Sequence, residues 1–196
     1  MFEKNKVRYG LKNVHYALIT EAADGALTFG VPKRILGAVS IGMQRKGEKV
    51  NFPADDNSDY YARAVNDGYD GDLELALVPD EFLIDCLGER TDDNGVQVEN
   101  RDGKAAPFAL LFEFDGDETK TRRVLYYCRS ERPDIKGETR GKNDTPQSEK
   151  LTLTARPRPD TGDVKAKCTQ DKTQYGSWFE AVYSPVGATE PGDGED

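Results

Sequence analysis

Histidine is nearly absent from this sequence, and that scarcity narrows the chemistry. The single His15 lies inside an apolar run, so a metal centre built on several imidazoles has no ligand set and a Ser-His-Asp triad has no free base. His15 itself reads as a packing or surface residue. Cysteine is scarce as well. Cys86, Cys128 and Cys168 are odd in number and far apart, which is neither a disulfide framework nor a CxxC metal pair; they read as small reduced residues, buried or half-buried. No GxGxxG or GxxxxGK[ST] occurs, so nucleotide phosphates have no recognisable cradle. No apolar run is long enough for a membrane-spanning helix, and the N-terminal MFEKNKVRYG lacks the apolar core of a signal peptide. The expectation is a protein made and kept in a cytosol, or released from one by lysis.

A basic excess is missing too. The net charge is -9, and ten carboxylates against the single Arg63 fall between residues 54 and 85, so this segment accounts for all of it. A groove that grips DNA needs the opposite sign, because phosphate contacts come from Lys and Arg. Asp55, Asp56, Asn57 and Asp59 resemble the start of a calcium loop, but Tyr60 stands where its glycine belongs and Asn66 where its closing glutamate belongs. The cluster reads as a solvated acidic loop. A glycosidase pair would need one carboxyl of raised pKa in a pocket, and no spacing here marks one. Catalysis is not expected.

What is present is β patterning around one helix. In residues 66–88, NDGYDGDLELALVPDEFLIDCLG, Leu73, Leu75 and Leu77 recur with the period of a strand. From Asp80 the pattern changes, and Phe82, Leu83, Cys86 and Leu87 form one stripe of a short helix ended by Gly88. A helix of about two turns does not persist alone in water. Its stripe must be buried against a sheet, where the fold closes or another subunit docks.

In order along the chain, residues 13–21 (NVHYALITE) read as an internal strand that turns at Asp24-Gly25 into a return strand over 27–31, and residues 35–44 read as another. Residues 45–69 read as a long loop; Phe52, Tyr60, Tyr61 and Tyr69 on it either meet a partner surface or fold back onto their own sheet. FALLFEFD (108–115) and TRRVLYYCR (121–129) form a hairpin in which Val124, Tyr126 and Cys128 share a core face. Its second face, with Leu111, Leu125 and Tyr127, is too apolar for a solvent-washed surface and calls for cover by the helix or a neighbouring subunit. A polar loop follows over 130–149. LTLTAR (151–156) and VKAKCT (164–169) then read as a hairpin with one wet face bearing Thr152, Thr154, Lys165 and Lys167. Residues 175–183 hold the single Trp178, and 185–196 form an acidic tail expected to be mobile. The fold class is mainly β: an antiparallel sandwich or barrel of eight to ten strands with one short flanking α-helix, a single domain over 1–184.

Four stretches, NKVRYGLKNVHYALIT, NDGYDGDLELALVPDEFLIDCLGE, FALLFEFDGDETKTRRVLYYCRSERP and WFEAVYSP, together resemble the major tail proteins of long-tailed bacteriophages that infect Gram-positive bacteria. The resemblance covers most of residues 5–185 and rests on the series rather than on one motif. It implies a tail tube subunit whose hexameric rings stack into a hollow conduit, with inner strands of neighbouring subunits continuing one lumen sheet. It places Phe52, Tyr60, Tyr61, Tyr69, Phe82, Leu83 and Leu87 at subunit or ring contacts, the 45–69 loop bridging to the next ring. Asp70 and Asp72 would face the lumen, where negative potential keeps sliding DNA from sticking; otherwise these charges serve solubility. The implied partners are further copies of the chain, a tape measure protein, and tail terminator and distal tail proteins. Genomic DNA would pass without specific binding, and no cofactor, metal or membrane is implied. The implied location is the virion tail, with the host cytoplasm during assembly. A reading of a different class is a β-sandwich module that recognises a surface carbohydrate or protein through the loop tyrosines.

Overall fold

The computed structural model describes residues 9–54, 56–116, 118–139 and 146–187. The basic arm before Tyr9 and most of the acidic tail lie outside the described residues. The strands are β1 Leu11–Glu21, β2 Leu27–Phe29, β3 Lys33–Arg34, β4 Ala38–Lys46, β5 Lys49–Ala54, β6 Asn57–Ala64, β7 Gly68–Leu75, β8 Arg90–Thr91, β9 Gln97–Val98, β10 Phe108–Phe114, β11 Arg122–Ser130, β12 Glu149–Arg156 and β13 Lys165–Cys168. The helix α1 spans Asp80–Leu87, and a 3-10 turn spans Thr173–Tyr175. The chain is mostly β, 42% strand and 7% helix.

Nine strands form one antiparallel sheet in the order β2-β1-β10-β11-β12-β7-β4, with β3 also on β1 and β13 also on β11. The sheet rolls until β4 packs against β1. Its concave side holds the larger core, in which Leu73, Leu75, Leu110, Leu151 and Leu153 are fully buried. Helix α1 plugs this core. Phe82 meets Tyr16 and Phe108 edge-on, with ring centroids 5.1 and 5.2 Å apart, and Gly88 ends the helix at φ +77°. Asp85 accepts a 2.9 Å bond from the Tyr16 hydroxyl, and Lys33 Nζ lies 2.6 Å from Asp85 and 2.7 Å from Glu81, tying the helix to β1 and β3. All three cysteines are free and buried.

Several expectations are corrected by register. Leu110 pairs with Leu125 but Phe108 pairs with Cys128, so β11 carries one extra residue opposite Ala109. Such a bulge inverts the alternation beyond it. Leu125 and Cys128 therefore share the concave core, whereas Val124 and Tyr126 face the other way. The second face is covered not by α1 but by the C-terminal segment of the same chain. Residues 173–183 fold across it, and Trp178, 2% exposed, joins Ala17, Ala109, Leu111, Val124 and Tyr126 in a second core. Leu77 lies beyond the end of β7 and is exposed, because the strand stops at Leu75.

Two further corrections concern topology. Instead of a loop, residues 45–69 continue β4 to Lys46, make an antiparallel β5–β6 ribbon, and enter β7 at Gly68, so Tyr69 belongs to a strand. β5 and β6 pair with each other and with no other described strand. Nor do β12 and β13 form a hairpin ladder: β12 takes Tyr127–Ser130 of β11 and β13 takes Arg122–Leu125. The edge of β11 is thus shared, and β12 diverges to run along β7.

Close approach of β4 and β7 constrains one residue type. A Cβ on Gly71 would sit 1.8 Å from the carbonyl oxygen of Gly42, whereas one on Gly42 would meet nothing within 4 Å. Gly71→Ala should lower stability by about 3 kcal/mol or more in thermal or denaturant unfolding, and Gly42→Ala by less than about 1 kcal/mol. Trp178→Ala should cost about 3–5 kcal/mol through loss of the second core.

Candidate assembly surface

The exposed face of β4, β7 and β12 follows from strand alternation: Leu73 and Leu75 point inward, so Asp70, Asp72 and Glu74 point out. Each carboxylate meets partners from the flanking strands. Lys46 Nζ lies 2.9 Å from Asp70, Arg156 2.5 Å from the other Asp70 oxygen, and Lys150 3.3 Å from Asp72. Ser40 and Ser148 donate to Glu74. The bonds from Lys46 and Arg156 hold the Asp70 carboxyl below the usual carboxylate range, and those from Ser148 and Ser40 do the same for Glu74. This face carries three carboxylates and three cations. Acidity that is concentrated along the chain is thus largely offset in space, as it is again where Lys33 joins Glu81 and Asp85.

The expected contact residues are dispersed. Phe82 and Leu87 are 0% and 8% exposed inside the subunit and are corrected from contact residues to core residues, since the α1 stripe faces its own sheet. Leu83 is half-buried against the same core. Tyr69 is half-buried at the root of the β5–β6 ribbon, with the Lys165 ammonium 4.7 Å from its ring centroid. Phe52, Tyr60 and Tyr61 lie on the ribbon, and their side chains are outside the described residues.

A network missed in the sequence locks the C-terminal segment down. Glu113, 6% exposed, accepts a 3.0 Å bond from Arg122 Nε and a 2.6 Å bond from Asn13. Arg122 also donates to the Tyr175 carbonyl, and its guanidinium lies 3.8 and 4.7 Å from the ring centroids of Tyr175 and Phe179. Phe179 stacks on His15 at 4.6 Å. The one available sequence signal was the clustering of Tyr175, Trp178 and Phe179 near the end of the chain.

Burial keeps the nucleophiles inert. It pushes the Cys128 thiol up to about 12, and it raises the Cys86 and Cys168 thiols as well. Among the described residues no group of three His, Cys, Asp or Glu side chains is placed to hold a metal ion. No described helix is long and apolar enough to cross a membrane. A rolled antiparallel sheet with a separate β5–β6 ribbon, and with no described strand in ladder pairing beyond β4, defines the class, a β-rich building block suited to assembly. A family model described as phage tail tube protein matches residues 1–112, which includes the ribbon and α1 and ends within β10, and the chain belongs to that family. It is thus a structural component of the phage tail. A comparison with curated proteins found no match.

The Arg122 network makes two predictions. Arg122→Ala leaves Glu113 buried without its charge partner and should cost about 3–5 kcal/mol in denaturant unfolding. Desolvation lowers the His15 pKa below 6.5, assisted by Arg34 and Arg122 and opposed by a backbone bond with Asn13 and by Glu113. Above 6.5 the imidazole is neutral in both states; as pH falls below it the unfolded chain takes up the proton first, so stability declines. His15→Gln should flatten that decline in unfolding curves taken between about pH 7 and pH 5.

Proposed function

We propose that this chain is the repeating subunit of the tail tube, closing into hexameric rings that stack into a hollow conduit through which the genome passes into the host. The observation that carries this reading is the β5–β6 ribbon, a two-stranded sheet of its own rooted on a family member's body. A two-stranded hairpin is marginal in water by itself. Contact with another molecule supplies the missing stabilisation, and Phe52, Tyr60, Tyr61, Tyr69 and Leu83 are the side chains proposed for such contacts.

The edge of β4 supports the same reading: beyond β7 it has no ladder partner among the described strands, and such an edge invites pairing with another chain. Head-to-tail contacts of this type close into rings and repeat along an axis. Assembly would take place in the host cytoplasm around a tape measure protein, with terminator and distal tail proteins at the ends. The role is mechanical rather than catalytic.

The β4–β7–β12 face is the proposed lumen wall. Cations already held by Asp70 and Asp72 gain little by exchanging those partners for phosphate, so DNA slides past without capture. Concentrated protein should form rings or tubes in negative-stain electron microscopy, and replacing residues 49–64 with a short glycine turn should leave a folded monomer that forms none. Asp70→Ala with Asp72→Ala exposes Lys46, Lys150 and Arg156. Phage carrying both changes should build normal tails but release DNA more slowly, and unchanged release kinetics would remove Asp70 and Asp72 from the lumen wall.

A further inference from the structure

The divergence of β12 from β11 opens a groove at the ribbon's root. Where β13 replaces β12 along β11, no described strand bridges β13 to β7, and a cleft of about 530 Å³ lies between them. Ile41, Met43, Phe112 and Phe114 give it an apolar floor, and Lys165 and Lys167 stand exposed on its rim. Several cations that face strand neighbours have carboxylate partners: Lys12, Lys33, Lys46, Arg122, Lys150, Arg156 and Arg158 are each ion-paired. Lys165 and Lys167 are not. Among the described residues no carboxylate lies within ion-pairing distance of either, and Lys165 rests on the Tyr69 ring instead.

An occupant of this groove must bring apolar bulk and negative charge together. Residues 1–8 carry Lys4, Lys6 and Arg8 against Glu3, the same sign as the rim. Residues 188–196 are acidic but contain no aromatic side chain. The ribbon combines both properties: Phe52, Tyr60 and Tyr61 occur beside Asp55, Asp56 and Asp59. We propose that the groove receives the tip of the β5–β6 ribbon from a second copy of this chain.

Reach decides that the tip comes from another copy. The ribbon leaves the body between Lys46 and Gly68, one residue from groove-lining Tyr69, and its ladder runs from Lys49 opposite Ala64 to Ala54 opposite Asn57. At roughly 3.3 Å per residue the tip stands about 20 Å from the groove at its own root. A paired ribbon cannot double back over that length without breaking its ladder. The neighbour's tip has no such constraint. This deepens the assembly proposed above and rests on it in requiring a second copy, not in requiring a tube.

The test uses two full-length proteins of different tag size, one with Asp56→Cys at the exposed ribbon tip and one with Lys167→Cys on the rim, joined by a short bis-maleimide linker. The native cysteines are buried and do not compete. Mixing should give a cross-linked heterodimer at least several-fold above that with Thr161→Cys, an exposed turn position outside the groove. Adding Lys165→Glu to the rim partner should cut the yield several-fold, and Lys165→Arg should restore it. A yield equal to the Thr161→Cys control overturns the proposal. Electron microscopy of the wild-type protein separates the two readings: tubes without the cross-link retain the tube and discard the groove, whereas the cross-link without tubes does the reverse. Absence of both discards both.

Discussion

The structure depends on burying both faces of one central strand. Six of the seven β10 residues are buried, an arrangement possible only if the sheet has protein on either side. On the concave side the sheet supplies much of that cover itself, by rolling β7 and β4 back over β1, and α1 fills what remains. On the convex side a short segment with little regular structure does the same work through Trp178 and its neighbours. Burial of this kind removes several large side chains from water at about 25 cal/mol per Å² of apolar surface. The ion pair of Glu113 and Arg122 then holds the convex cover in place, because a carboxylate so deeply enclosed requires a cation beside it.

The fold class was legible because alternation and helical periodicity survive in single segments. The α1 stripe of Phe82, Cys86 and Leu87, the Gly88 stop and the β10–β11 hairpin all stand as read. What failed was nonlocal. One extra residue in β11 reassigns Val124 and Tyr126 to the opposite core, and no local propensity announces a bulge there. The pairing of β13 with β11 rather than β12 is likewise a choice between distant partners. The covering role of residues 173–183 was hidden because turns carry no periodicity, although their aromatic content was visible.

The candidate contact residues divide for a similar reason. A helix stripe states only that something covers it, and Phe82 and Leu87 are covered by their own subunit. The aromatic run of the ribbon was noticed, but its strand pairing was not, since proline and five polar residues interrupt Lys49–Ala64 near its turn. Charge shows the gap most clearly. Ten neighbouring carboxylates suggest an acidic patch, yet strand pairing brings Lys46, Lys150 and Arg156 from distant parts of the chain to meet Asp70 and Asp72.

The convex core also sets an order of events on the ribosome. Its cover is made of residues 173–183, which are synthesised after all of the strands described above. Until they emerge, Ala17, Ala109, Leu111 and Val124 have nothing to pack against, so a nascent chain carries an uncovered apolar wall however well its first strands have paired. The wall is covered only after residue 183 has left the ribosome. Arrival of residues 173–183, rather than of the ribbon or of α1, is therefore the step that closes this wall.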